Sequence, residues 1–261
     1  DNHGPVWVIA EQEEGQVHTV SSQLTGQARK LADELNTRVE AILLGNGTAE
    51  MPRQLFAAGA DKVYLGNAPE LDRYQSELFT EIIVRLAETH QPEIVLLGST
   101  PLGRELAPLV AARLKTGLTA HCIDLVLDEN RILQQKIPAY GGMLTIICPE
   151  KRPQMATVAK GVFPMPELKE SREGEIVPVA LPAEIPDRLQ TLEIVREEPK
   201  GVPLESASIV VAGGAGAGGP DGWSEISDLA STLGAALGAT RPAVDEGWTE
   251  LETMVGQSGK M

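Results

Sequence analysis

Apolar runs alternate with amphipathic stretches over about the first 190 residues. The runs carry no polar face, which is typical of strands buried on both sides, and a stretch with helical spacing follows each one. This pattern predicts a Rossmann-like α/β unit with a parallel sheet between helical layers. The predicted strands are 6–10, 39–44, 62–65 and 94–97, and the predicted helices are 21–35 (N-cap at Ser21–Ser22), 50–58, 74–89 and 104–114.

The pattern changes after Gly117. Three apolar runs, 122–127, 132–137 and 144–148, follow one another without helices, and Gly141-Gly142 is a turn signal between the last two. They predict an antiparallel extension at the edge of the first sheet. A proline-rich stretch, 163–203, then predicts a connection with one edge strand at 176–181 and a domain boundary near 195–205.

A new unit starts with an apolar strand at 208–212. It leads into a glycine-rich run, 213–219, and then into a helix whose inward face is predicted to carry Ile226, Leu229, Leu233 and Leu237. Strand, glycine turn and helix start together favour phosphate binding, because glycine lets backbone N–H groups approach an anion. A flexible linker remains the alternative for this run. The loop 98–104 offers similar N–H groups, with an ordinary βα turn as its alternative.

Charge and composition narrow the function classes. Asp and Glu total 37 against 22 Lys and Arg, a net charge of −15, which disfavours nucleic acid and anionic membranes as partners. No apolar run is long enough to cross a bilayer, and the start has no basic signal region. Cys122 and Cys148 are expected as buried thiols in the reducing cytoplasm.

The sequence offers no catalytic or metal site. The four histidines, His3, His18, His90 and His121, lack metal-ligand spacing, and no Ser or Cys nucleophile is visibly paired with one. The glutamates at 11, 13 and 14 are interpreted as a solvated charge cluster.

Longer motifs resemble the α subunits of electron transfer flavoproteins. In the last part of the chain these are the glycine run, 237–248 (Leu-Gly-Ala-Thr-Arg-Pro-Ala-Val-Asp-Glu-Gly-Trp) and 255–260 (Val-Gly-Gln-Ser-Gly-Lys). Earlier motifs that look like the same family are 103–108, 111–114, 116–120, 138–142, 149–150 and 152–158. The resemblance runs from about residue 6 to the end.

The resemblance implies a subunit that carries electrons on FAD, paired with a β subunit, between a flavin dehydrogenase such as an acyl-CoA dehydrogenase (or NADH in a bifurcating system) and an acceptor. It would be a carrier rather than an enzyme by itself. Thr240 and Arg241 would lie at the flavin, and the Ser258 hydroxyl near its N5. The implied cofactor-binding residues are Gly213, Gly214, Gly216, Thr240, Arg241, Val255, Gly256, Gln257, Ser258, Gly259 and Lys260.

Two departures from the family pattern bear on cofactor binding. Ala215 stands where the family has Arg in its glycine run, so phosphate binding is expected to rely on backbone donors. The family's later Gly-Ile-Ser-Gly-Ala-Ile-Gln-His type of motif is absent, so we expect 1–198 to be an α/β scaffold and partner domain and 199–261 to be the first part of an FAD-binding domain. The alternative function is a non-redox, adenine-nucleotide-binding α/β regulatory or scaffold module that uses the 98–104 loop.

Overall fold

The chain divides into two compact units, 1–191 and 192–261. The computed structural model describes residues 3–13, 15–184, 191–193, 195, 201–204, 207–256 and 259. The boundary expected at 198/199 falls outside these residues and stays a prediction.

The first unit is built on a seven-stranded sheet in which every pair of neighbouring strands is parallel. Its strands are β1 (Val6–Ala10), β4 (Val39–Gly45), β5 (Lys62–Asn67), β6 (Ile94–Gly98), β7 (Leu118–Cys122), β11 (Gln154–Val158) and β12 (Glu175–Pro178), in the order β12-β5-β4-β1-β6-β11-β7. A two-stranded hairpin of β2 (Gln12–Glu13) and β3 (Gln16–Val17) follows β1. The predicted fold class is confirmed.

Helices cover both faces of this sheet, as strands without a polar face require. They are α1 (Thr19–Leu35), α2 (Pro52–Ala58), α3 (Ser76–His90) and α4 (Pro101–Leu114). Residues of α1 and α2 share one buried cluster with Val6 and Val8, while α3 and α4 share the other with Trp7 and Ile9. Successive residues of β1 therefore face opposite helical layers.

Helix boundaries differ from the predictions by a few residues. The start of α4 differs most, at Pro101 instead of 104. At α1 the predicted cap Ser21–Ser22 lies inside the helix and His18 is the N-cap, its Nδ1 accepting from Val20 N. An imidazole nitrogen substitutes here for the usual hydroxyl or carboxylate oxygen.

The strands predicted as an extension of the first sheet form a sheet of their own. These are β8 (Asp124–Leu127), β9 (Leu133–Ala139) and β10 (Gly142–Ile146), in antiparallel order β10-β9-β8. Tyr140 and Gly141, with φ of +52° and +77°, make the two-residue turn between β9 and β10. Every residue of β10 is exposed.

The second unit contains β13 (Val210–Gly213), α5 (Pro220–Leu233), β14 (Ala236–Ala239) and α6 (Arg241–Asp245). β13 and β14 pair in parallel, and Trp223 of α5 packs in a small core with Ala239 and Ala243. The predicted inward face of α5 is wrong in part, because Leu229 and Leu233 are 51% and 50% exposed. The inward positions are Trp223, Ile226 and Ala230.

Within the described residues, no helix combines the length and the hydropathy that crossing a bilayer requires. Both cysteines are free, but only Cys122 is buried as predicted, since Cys148 is partly exposed. Burial raises the pKa of the Cys122 thiol to about 12.

Candidate functional site

The predicted cofactor residues of the second unit gather at the carboxyl ends of β13 and β14. Gly213 pairs with Ala239, and Thr240 N donates to Gly213 O at 2.8 Å. The glycine run and the Thr240–Arg241 pair therefore start side by side, although 25 residues lie between Gly214 and Thr240 along the chain. This edge is where parallel sheets bind ligands.

Gly214 is required by packing within the unit. A Cβ at this position would lie 2.5 Å from Thr240 Oγ1, closer than any van der Waals contact allows. The Thr240 hydroxyl thus lies directly against the glycine turn, and the two predicted motifs form one surface.

The turn that follows Gly214 is open on its outer side. Ala215–Ala217 form one 3₁₀ turn, and a Cβ added at Gly216, Gly218 or Gly219 would meet no atom within 4 Å. Gly219 is the N-cap of α5 and offers no side chain, so no side chain caps the first turn of the helix. Because Pro220 has no N–H and Trp223 N donates to Gly219 O, the backbone donors at this helix start are the N–H groups of Asp221 and Gly222, at the positive end of the helix dipole.

Arg241 is the first residue of α6 and is exposed. Its Nε donates to Asp245 Oδ2 at 3.3 Å, one helical turn further on. The guanidinium, which stays protonated at any ordinary pH, is therefore held on the surface of α6 with a carboxylate as its counter-ion.

The third predicted motif runs alongside the end of β14. Val255 N donates to Ala239 O at 2.8 Å, and Met254 forms a parallel bridge with Ala239. Gly256 has φ of +106°, and Gly259 N closes a turn onto Gly256 O at 2.8 Å. Gln257, Ser258 and Lys260 lie outside the described residues, so their predicted positions at the flavin stay predictions.

The first unit has a polar cluster that the sequence did not predict. Glu11, interpreted as solvated, is instead mostly buried, and Thr100 Oγ1 donates to its two carboxylate oxygens at 2.9 and 2.8 Å. Burial raises the pKa of the Glu11 carboxyl, and the hydrogen bond from Thr100 offsets only part of that rise.

Ser99 and His121 form a pair that the sequence interpretation excluded. Ser99 Oγ lies 3.0 Å from His121 Nδ1, and His121 has a φ of +57°. Burial and the charge of Arg104 lower the pKa of His121, which favours the neutral imidazole. Among the described side chains no carboxylate hydrogen-bonds to that ring, so the orienting acid of a hydrolytic triad is not found there.

Among the described residues no cluster of His, Cys, Asp or Glu could hold a metal ion.

Two family models match the chain, one in each part of the sequence. Residues 6–184 match the family model described as Electron transfer flavoprotein domain. Residues 203–261 match the model described as Electron transfer flavoprotein FAD-binding domain.

Curated relatives match over nearly the whole chain. The "Electron transfer flavoprotein subunit alpha" of Thermoanaerobacterium thermosaccharolyticum is 42% identical over 263 residues, which cover 100% of this chain and 80% of that protein. "Protein FixB" of Azorhizobium caulinodans is 42% identical over 98% of this chain and 71% of its own length. The "Electron transfer flavoprotein subunit alpha" of Megasphaera elsdenii is 40% identical over 98% of this chain and 77% of its own length.

Proposed function

Since the chain belongs to the family of electron transfer flavoprotein α subunits, we propose that its second unit holds FAD at the carboxyl ends of β13 and β14 and carries electrons on it. The observation that supports this most directly is the meeting of the glycine turn with Thr240 and Arg241 at one sheet edge. The family relationship supports FAD as the cofactor.

The donor set of this edge fits a dinucleotide. Gly216, Gly218 and Gly219 leave open space, and the start of α5, which has no side-chain cap, supplies the N–H groups of Asp221 and Gly222 for the phosphates. Because Ala215 adds no charge, these donors and the helix dipole replace the arginine expected of the family.

We assign the flavin ring to Thr240 and Arg241, at the carboxyl ends of β13 and β14. When bound, FAD supplies a ring that accepts and releases reducing equivalents. Arg241 contributes a permanent positive charge, which stabilises added negative charge nearby. The backbone just before Arg241 is fixed, because Thr240 N donates to Gly213 O and Ala239 O accepts from Val255 N. We assign Gly256, Gln257, Ser258, Gly259 and Lys260 to the same end.

The first unit is proposed as the scaffold and partner surface. Its exposed β9–β10 hairpin carries Tyr140, Met143, Leu144 and Ile146 on the surface, and within the described part of the chain β10 pairs with β9 alone, which leaves its other edge open. Exposed apolar side chains on an open strand edge are typical of a protein interface. We assign this hairpin to the β subunit of a heterodimer.

In this role the chain is a carrier and leaves chemistry on the electron donor to a flavin dehydrogenase, such as an acyl-CoA dehydrogenase. The free cysteines support a cytoplasmic location, because reducing compartments keep thiols unpaired. The redox role accounts for the second unit, which a non-redox nucleotide module would leave without a function.

Replacing Gly216 tests the cofactor site. A Cβ at Gly216 meets nothing within 4 Å, so we expect Gly216→Val to leave the cofactor-free fold intact. Its side chain would stand where the phosphates approach, and we expect FAD affinity to fall at least tenfold. Thr232→Val, on the exposed surface of α5, is the control and should leave FAD affinity unchanged.

The measurement is FAD binding by the α/β complex, followed by the absorbance of the yellow cofactor, with thermal melting of the cofactor-free variants alongside. A colourless complex that stays colourless with added FAD overturns the proposed function. Undiminished FAD affinity in Gly216→Val contradicts the assigned position of the phosphates.

A further inference from the structure

A cleft of about 620 Å³ opens at the amino ends of three neighbouring strands of the first unit, β4, β5 and β12. Of its lining residues, Arg38 comes directly before β4, Asp61 comes directly before β5, and Glu175 is the first residue of β12. Sites for small molecules have volumes of roughly 300–1,000 Å³, so the cleft is large enough for a small ligand.

Positive charge is concentrated in this cleft, although the whole chain has a net charge of −15. Four basic side chains line it: Arg29 of α1, Arg38, and Lys169 and Arg172 from the segment before β12. A concave surface with charges of one sign raises the local concentration of ions of the opposite sign. The lining therefore favours an anion.

Asp61 holds two of these guanidinium groups in place. Arg29 Nη1 donates to its Oδ2 at 2.6 Å, and Arg172 Nη2 donates to its Oδ1 at 2.5 Å. Burial alone would raise the pKa of Asp61, but hydrogen bonds from Val39 N, Arg29 and Arg172 lower it. The carboxyl therefore stays ionised and fixes both arginines, while its single charge balances only one of them.

The other carboxylates of the lining leave two cations without a counter-ion. Asp33 pairs with Arg29 at 2.8 Å, and Glu175 pairs with Lys62 of β5 at 3.2 Å. Asp33 and Asp61 together balance Arg29 and Arg172. Within the described part of the chain, Arg38 and Lys169 make no ion pair.

We propose that this cleft binds the phosphate group of a small ligand, either inorganic phosphate or a phosphate monoester, in addition to the cofactor site of the second unit. A phosphate monoester carries a charge of about −1.5 to −2 at pH 7, which matches the two cations that lack a counter-ion. Guanidinium groups bind phosphate oxygens through pairs of hydrogen bonds, and Asp61 is the positioning residue that keeps two of them at the cleft.

The amine of Lys169 gives a readout at the cleft itself, because this side chain is exposed. The full chain is labelled with an amine-reactive ester at constant ionic strength, and the labelling rates are measured by peptide mass spectrometry. Inorganic phosphate should slow the labelling of Lys169 at least threefold. Lys30, exposed on α1 and outside the lining, should react at its original rate.

Two further ligands define the chemistry that the cleft recognises. Glycerol 1-phosphate should protect Lys169 as well, and the ligand that does so at the lower concentration identifies the monoester or the free ion as the source of the phosphate. Succinate has two charges on separate carboxylates and should need at least threefold more ligand for the same protection. Equal protection by succinate would overturn the assignment to phosphate.

Arg38→Ala removes one unpaired cation from the lining, and we expect at least fivefold more phosphate to be needed for half-protection of Lys169. Arg53→Ala, at an exposed position of α2 outside the lining, changes the net charge equally and should behave as the wild type does. Thermal melts establish that both variants are folded.

The labelling of Lys169 is unaffected by anions that bind at the glycine turn, so the result is independent of the proposed FAD site. The proposal is overturned if phosphate leaves the labelling of Lys169 unchanged in the wild type, or if Lys30 is protected equally. It is also overturned if Arg38→Ala, once shown to be folded, needs no more phosphate than Arg53→Ala. The wild-type comparison of Lys169 with Lys30 decides the matter should Arg38→Ala not fold.

Discussion

Arg241 is the side chain on which the electron-transfer proposal depends most directly. In Arg241→Ala we expect the midpoint potential of the bound flavin to fall by roughly a few tens of millivolts, since about 30 mV corresponds to about 1.4 kcal/mol for two electrons. The cause is loss of a permanent positive charge beside a ring that gains negative charge. The measurement is a reductive titration of the FAD-loaded complex against a reference dye.

Arg241→Lys is the matched variant, because it keeps the charge and changes the geometry. Its bound flavin should keep most of the wild-type midpoint potential. If Arg241→Ala keeps its FAD and its potential is unchanged, the guanidinium does not act on the ring, and its ion pair with Asp245 is only a surface contact.

Glu11 makes stability depend on pH in a defined direction. Burial raises the pKa of Glu11 in the folded state. The stability that the protonated carboxyl contributes is therefore fully present below the pKa of the unfolded chain, about 4.3, and is lost as the pH rises through the folded pKa. Glu11→Gln cannot ionise. It should therefore match the wild type near pH 4 and be more stable at pH 7, by about 2–4 °C in melting temperature for each kcal/mol of relieved burial cost.

Thermal melts of the full chain across pH 4–8 measure this difference, with Glu13→Gln as the exposed control. A wild type that is more stable than Glu11→Gln at pH 7 would mean that the carboxylate gains more from Thr100 than it loses by burial.

The contacts of Glu11 also show why single residues were misjudged from sequence. Thr100 is 89 positions away and comes into reach only because β1 and β6 are neighbours. The Ser99–His121 pair depends likewise on β7, which the apolar pattern did not predict. Side chains at strand ends can be paired only when the strand order is known.

At the scale of elements, the uniformly apolar strands were predictable and the polar ones were not. β7 and β11 carry His121, Gln154 and Thr157, so they do not resemble buried strands. In the fold these polar groups are satisfied, since Gln154 Oε1 accepts from Leu133 N and Thr157 Oγ1 accepts from His121 N. A buried polar side chain with a partner is tolerated in a core strand, but its partner is not visible in the local pattern.

The β9–β10 hairpin gives the test of partner binding. Leu144 is 44% exposed on the open edge strand, and Leu144→Asp should weaken association with the β subunit at least tenfold, because a charge would be buried in the interface. Leu109 on α4 is exposed to a similar extent, 40%, and Leu109→Asp is the control. Analytical ultracentrifugation of the mixed subunits measures the affinity. Equal affinities for both variants would place the interface elsewhere.

For the molecule as a whole, the two units were predicted from different kinds of sequence signal. Apolar periodicity was sufficient for the strands and helices of the first unit other than β7 and β11, and these elements enclose two large buried clusters. The second unit has one small cluster around Trp223, so its predicted site came from ordered motifs that resemble a family. The convergence of Gly214, Thr240 and Val255 on one edge needed the pairing of β13 with β14.

Because each unit has its own core, FAD binding should change the hydrogen-exchange protection of the backbone in one unit only. Hydrogen exchange of the α/β complex, resolved by peptide, is expected to slow on adding FAD in the glycine turn, the start of α5 and residues 239–256. Ligand binding suppresses local opening where its contacts lie, by an amount set by its concentration relative to its Kd. Peptides from β1, β4 and β6, in the core of the first unit, should exchange at their original rates, and Gly216→Val should abolish the response. Protection centred on the 98–104 loop instead would move the cofactor to the first unit and would contradict the assigned FAD site.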